Sequence, residues 1–180
     1  MHLTHHLVDE LPSMRRAEVL EKFRALLAGA KQRGVRTVAY VLMGNHLHWM
    51  IVPESREALR NATCYVFRGF AKWFNSLLGR TGSVFNDRYH STVGRSVRQA
   101  FQMLAYLIKN PRAAGYAPGP GDVDRFLGVN EPLVGSHPFL RSVFGPLGPP
   151  LRELLWRMVR GPVAFVPVRT RLQLPLPGFS

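Results

Sequence analysis

Three features of this 180-residue chain predict an α+β protein of the ferredoxin-like (split βαβ) kind. Short alternating apolar segments are interleaved with long stretches of helical periodicity. Their order reads β-α-β-β-α-β-α, and the two central strands meet at a Gly44-Asn45 pair that suits a hairpin. The first six elements match an antiparallel sheet with two helices on one face. The third helix is left over, and the opposite face of the sheet is the place predicted for it.

Residues 2–8, partly alternating and followed by Pro12, read as the first strand. Ser13 is placed to cap a helix running to about Arg33, with Leu20, Phe23, Leu27 and Ala30 at helical spacing and Gly34 as its stop. Residues 36–43 and 46–52 are the hairpin strands. Ser55 caps a second helix whose stripe is Leu59, Ala62, Val66, Phe70, Trp73 and Leu77, closed by Gly79. Residues 84–93 read as a strand. Ser96 then caps a third helix, predicted to stop at Asn110-Pro111 because proline lacks an amide hydrogen.

Composition changes after Gly115. Eleven of the fourteen prolines lie beyond it, so residues 1–115 are read as one domain and 116–180 as a Pro/Gly-rich extension with one short helix near 150–159. The chain carries 24 Lys+Arg against 11 Asp+Glu, a net +13. Only four of the cations are lysines, and arginine's planar fork matches phosphate oxygens. Residues 1–115 hold 17 cations and 7 acids, a net +10, so a polyanion site is expected there. Cys64 is alone, which excludes an intrachain disulfide and a cysteine zinc finger. No signal peptide and no apolar run of about 20 residues is found, so a soluble cytoplasmic protein with no membrane partner is expected.

The sharpest local feature is Asn45-His46-Leu47-His48-Trp49. On a strand His46 and His48 project to one face, while Leu47, Trp49 and Ile51 project to the other. The pair can chelate one divalent cation, or it can be two half-buried strand histidines bonded to backbone or water. On the third helix Val97, Phe101, Leu104 and Ile108 form the apolar stripe, and Gln99, Tyr106 and Asn110 fall opposite it. Tyr106 and Asn110 lie one turn apart. They can present a phenol nucleophile beside an amide oxygen, or a packed ring and a helix cap.

Taken together, these segments resemble the single-tyrosine HUH nucleases, and among them the REP-associated tyrosine transposases. The likeness rests on Gly44-Asn45-His46-Leu47-His48, Asp87-Arg88-Tyr89-His90-Ser91, His2-Leu3-Thr4, and the run Tyr106-Leu107-Ile108-Lys109-Asn110-Pro111-Arg112-Ala113-Ala114-Gly115. Gly44 stands where the family often has proline, and Ala113 where it usually has arginine. The resemblance implies that His46, His48 and Asn110 bind Mg²⁺ or Mn²⁺ and that Tyr106 is the nucleophile. The partner it implies is single-stranded or hairpin DNA, cut and rejoined through a 5′-phosphotyrosine link by a monomer or a homodimer.

Arg88 is the residue expected to steer the phosphate. Arg56, Arg60 and Arg68 are expected phosphate contacts, and Gln99 is an outer support for the site or simply solvated. The alternative on the same residues is a non-catalytic nucleic-acid-binding module of ferredoxin-like fold. A histidine-triad hydrolase would need a third histidine where Met50 stands.

Overall fold

The computed structural model describes residues 1–116 and 124–130. Within them lie β1 (His2–His6), α1 (Ala17–Lys31), β2 (Val35–Leu42), β3 (His46–Pro53), α2 (Arg56–Leu77), β4 (His90–Thr92), α3 (Val97–Ala113) and β5 (Leu127–Val129). The strands form one antiparallel sheet in the order β4-β1-β3-β2-β5. Its first four strands give the predicted split βαβ arrangement, and β5 is an addition at the β2 edge.

Alternation gives the sheet two different faces. Leu3, Leu47, Trp49, Ile51, Tyr40 and Leu42 join Phe23 and Leu27 of α1 and Val66, Phe70 and Phe74 of α2 in one large apolar core. Trp49 is fully buried there, and its indole N–H donates to Thr37 at 3.0 Å. A smaller core on the other face joins Val38, Ala39, Val41, Met43 and Met50 to Ala100, Leu104, Leu107 and Ile108 of α3. The left-over helix therefore covers the second face, as predicted. A bulge in β2 between Thr37 and Ala39 turns both Val38 and Ala39 toward α3 and keeps Tyr40 and Leu42 on the α1/α2 side.

Beyond end shifts of one or two residues, four features differ from the sequence reading. α1 begins at Ala17 rather than after Ser13, because Ser13 Oγ accepts from the Arg15 amide in a local turn while the Met14 amide donates to Gly44 O. β4 has three residues, not ten. Phe85 turns inward, bridges to Leu7 and stacks on His5, so the chain regains the sheet only at His90. α3 continues through Pro111 to Ala113, since in a last turn the missing N–H forfeits one hydrogen bond and the Ala114 amide still donates to Asn110 O. β5 is the fourth difference: three residues are too few to show a period, and the strand is made by the free edge of β2. Gly128 lies opposite Tyr40, where a Cβ would collide with the ring. The helix expected near 150–159 lies outside the described residues. Among those described, no helix is long and apolar enough to cross a membrane.

An ion pair helps to tie the segment after α3 back to the start of the chain. The Arg15 guanidinium donates two 2.8 Å hydrogen bonds to the Asp124 carboxylate and a third, at 3.1 Å, to Leu42 O. Its plane packs against Tyr116 and Phe126, 4.1 and 4.5 Å from their ring centres. Both partners are largely withdrawn from water. Removing one of them strands the other's charge, which costs roughly 3 kcal/mol. Asp124→Asn is therefore expected to lower the free energy of unfolding by about that amount in urea titrations. Arg15→Met with Asp124→Leu should recover most of the loss. Equal stability of Asp124→Asn and the parent chain would show that the clamp contributes nothing.

Candidate active site

On the α3 side of the sheet, register gathers histidines from neighbouring strands. β1 pairs with β3 so that Thr4 lies opposite His48 and His6 opposite His46. Directly opposed residues of an antiparallel pair share a face. β4 adds His90 opposite Thr4. Five of the seven histidines, His2, His6, His46, His48 and His90, thus belong to one face. His5 points to the other, where it stacks on Phe85 and its Nε2–H donates to Asp87 O at 2.8 Å.

His48 is the hub of the cluster and is 2% exposed. Its Nδ1 lies 3.0 Å from Thr4 Oγ1 and 3.1 Å from His2 Nε2. Its Nε2 lies 2.7 Å from the side-chain nitrogen of Asn110. The amide N–H donates, so Nε2 carries the lone pair and the ring proton sits on Nδ1, shared between Thr4 and His2. His46 repeats the pattern: its Nδ1 meets Asn45 Oδ1 at 2.9 Å, a contact in which only the ring can donate, which leaves Nε2 as the lone pair. The His46 and His48 ring centres are 4.8 Å apart and the planes nearly perpendicular, while His6 stacks on His46 at 4.7 Å.

Burial favours the neutral form of His2, His46 and His48. Burial first, then the neighbouring imidazoles, pushes His48 down from 6.5 to about 3. Burial is also the main cause at His2, which falls to about 4, and at His46, which is lowered. A neutral imidazole with Nδ1–H tied to an oxygen and Nε2 free is the form that ligates a divalent ion. The donor set of His46, His48 and the Asn110 amide, which can offer its oxygen instead of its nitrogen, fits such an ion. Among the described residues no three His, Cys, Asp or Glu side chains converge to hold a metal ion, so Asn110 matters to that fit.

Tyr106 completes the group. Its ring meets His48 edge-on at 5.5 Å and His2 at 6.0 Å, and the residue is 56% exposed. Tyr106 and Asn110 lie on the flank of α3 rather than opposite its buried stripe. A helix lying on a sheet brings that flank over the side chains rising from the next strands. Four of the sequence-predicted residues, His46, His48, Tyr106 and Asn110, are therefore together.

The others are not. Gln99 helps to cap α3: its Oε1 accepts from the Arg95 backbone amide at 2.7 Å, and its own backbone N–H donates to Ser96 Oγ. It sits two turns before Tyr106 and takes no part in the cluster. Arg56, Arg60 and Arg68 are exposed on α2, across the sheet from the histidines. Arg88 is exposed in the loop leading to the edge strand β4. His2 and Thr4 entered the sequence reading only as part of a likeness, and His6 was missed. The polar alternation His2, Thr4, His6 was readable, but its meaning depends on β1 lying beside β3.

No family model and no curated protein matches the chain. Among solved structures, a REP-associated tyrosine transposase bound to a REP hairpin is similar over 64% of this chain and 68% of its own, at a TM-score of 0.52 and 18% identity. A second similar structure, that of a candidate transposase from Deinococcus radiodurans, covers 57% of this chain and 85% of its own, at a TM-score of 0.42 and 19% identity. The chain thus has the fold of the first of these proteins.

The depressed histidines set a pH dependence. Below about 6.5 the unfolded chain binds protons that folded His2 and His48 refuse, so stability is full above 6.5. It is lost as pH falls toward 4 and then 3, by up to about 1.4 kcal/mol per pH unit for each histidine. Urea unfolding in the presence of a chelator should show this loss. The His2→Gln/His48→Gln double variant should show a distinctly shallower one, and identical pH profiles would contradict the assignment.

Proposed function

We propose that this chain is a single-tyrosine DNA transposase that cleaves and rejoins single-stranded, hairpin-bearing DNA. The observation that carries the reading is the edge-on contact of Tyr106 with His48 while Asn110, one turn further along α3, touches His48 Nε2. Two strand histidines and two residues of one helix meet at one point, and that point opens to solvent at the tyrosine. The shared fold supports the same reading, since the similar structure is that of a tyrosine transposase.

A divalent cation, Mg²⁺ or Mn²⁺, held by His46, His48 and Asn110 would supply positive charge to polarise a phosphodiester. Thr4 and His2 hold the His48 ring with Nε2 toward Asn110, and Asn45 fixes the His46 ring through its Nδ1. The Tyr106 oxygen attacks phosphorus, the bond from phosphorus to the 3′-oxygen breaks, and that oxygen takes up a proton. The phenolic proton leaves to solvent, which reaches this exposed side chain. The product is a 5′-phosphotyrosine and a free 3′-hydroxyl, and the phosphodiester energy is kept for rejoining. Arg88, exposed in the loop before β4, would steer the phosphate by charge.

Incubation of the protein with labelled hairpin DNA and Mn²⁺ or Mg²⁺ is expected to give a covalent adduct resistant to denaturing gels. Tyr106→Phe should reduce it by roughly 10³-fold or more, because the nucleophile is gone. Persistence of the adduct in that variant would show that Tyr106 is not the nucleophile, and its absence from the parent chain with either metal would sink the catalytic reading and favour a binding module. Calorimetry with Mn²⁺ gives a check independent of turnover: Asn110→Ala should weaken binding about 10-fold or more, and His48→Ala should abolish it.

A further inference from the structure

The outer surface of α2 carries charge that the histidine site does not use. Its inward stripe, Ala62, Val66, Phe70 and Phe74, is buried in the large core, so the opposite arc faces solvent. On that arc Arg60, Cys64, Arg68 and Lys72 follow one another at four-residue intervals, and all four are exposed. Such a row runs along a helix as a continuous, slightly inclined ridge. It spans about 18 Å at 1.5 Å per residue, and Arg56 at the start of the helix extends it to about 24 Å. The one carboxylate on α2 is Glu57, beside the beginning of the row.

We infer that this ridge is a second nucleic-acid surface, which holds the phosphate backbone of duplex DNA on the face of the molecule opposite the histidines. Charge complementarity supports the choice of a polyanion: three guanidinium or ammonium groups stand in line with no interleaved acid. The side chains that are absent from the ridge support duplex over single strand. Proteins that hold unpaired strands stack bases on exposed aromatics. Here Phe67, Phe70 and Phe74 are buried, Trp73 packs against Phe70 and Phe74, and Tyr65 is covered by the Arg33 guanidinium 3.7 Å from its ring centre. A ridge that offers charge without stacking platforms reads the backbone and not the bases. The sheet lies between it and Tyr106, so one molecule holds a duplex segment on α2 while a single strand occupies the other face.

The native chain carries its own probe. Cys64, its one cysteine, lies in the middle of the row and is exposed. A photo-activated crosslinker on Cys64 should capture a blunt 20-base-pair DNA duplex and capture an unstructured single strand of equal length far less. In salt titrations with the same duplex, Arg60→Gln/Arg68→Gln/Lys72→Gln should make the slope of log affinity against log salt shallower by about 3, close to one per lost phosphate contact. All three side chains are exposed, so the thermal midpoint should stay within a few degrees of the parent's and report that the variant is folded. A slope changed by less than 1 in the folded variant overturns the inference, as does equal capture of the single strand. Insertion of a Cys64-attached fluorophore into vesicles of anionic lipid, with no duplex capture, would assign the ridge to a membrane surface instead. Tyr106→Phe should leave capture and slope unchanged, so the ridge and the tyrosine chemistry can fail separately.

Discussion

The antiparallel register of β1 against β3 is the constraint on which the rest of this protein depends. With Thr4 opposite His48, the residues His2, Thr4 and His6 join His46 and His48 on one face, and Leu3 and Leu7 join Leu47, Trp49 and Ile51 on the other. Because the side-chain period of a strand is two, a slip of one residue would exchange these sets. Leucines would then meet the histidines, and Thr4 and His6 would enter the core of α1 and α2. The apolar side therefore enforces the polar side: burying Trp49 and Leu3 is what aligns Thr4 with the ring nitrogen of His48.

The second face would be a liability without α3. A ferredoxin-like sheet covered on one side leaves Val38, Val41 and Met50 open to water, and Ala100, Leu104, Leu107 and Ile108 close them off. That packing places the flank of α3 over the histidines, so one apolar contact both finishes the fold and brings Tyr106 to His48. The chain beyond the helix then returns to its own sheet. β5 extends β2, and Asp124 locks onto Arg15 between two aromatic rings. Gly44 belongs to the same arrangement, because a Cβ there would press on the Tyr116 hydroxyl 2.7 Å away.

Charge is distributed by the same two-sidedness. The arginines expected to meet phosphate separate in space, with Arg88 in the loop before β4 and Arg60 and Arg68 on α2, across the sheet from the histidines. Helical periodicity already implied that α2 kept its cations outside. Which side of the sheet that outside faces was set by where α1 and α2 pack.

Local pattern made much of this protein legible. Strand alternation identified the His46/His48 face, helical spacing put Tyr106 and Asn110 one turn apart, and Ser55 and Ser96 marked two helix starts where their hydroxyls accept backbone amides. These are properties of neighbours in the chain, so a chain of residues suffices to state them. What only the tertiary structure decided was which of those local faces meet. That His2, Thr4 and His6 surround His48, that Gln99 is consumed as a cap, that Phe85 leaves the sheet to stack on His5, and that Asp124 reaches Arg15 all depend on contacts between distant segments. Their energies come from burying apolar surface and pairing charge across the whole fold, and no local period records that.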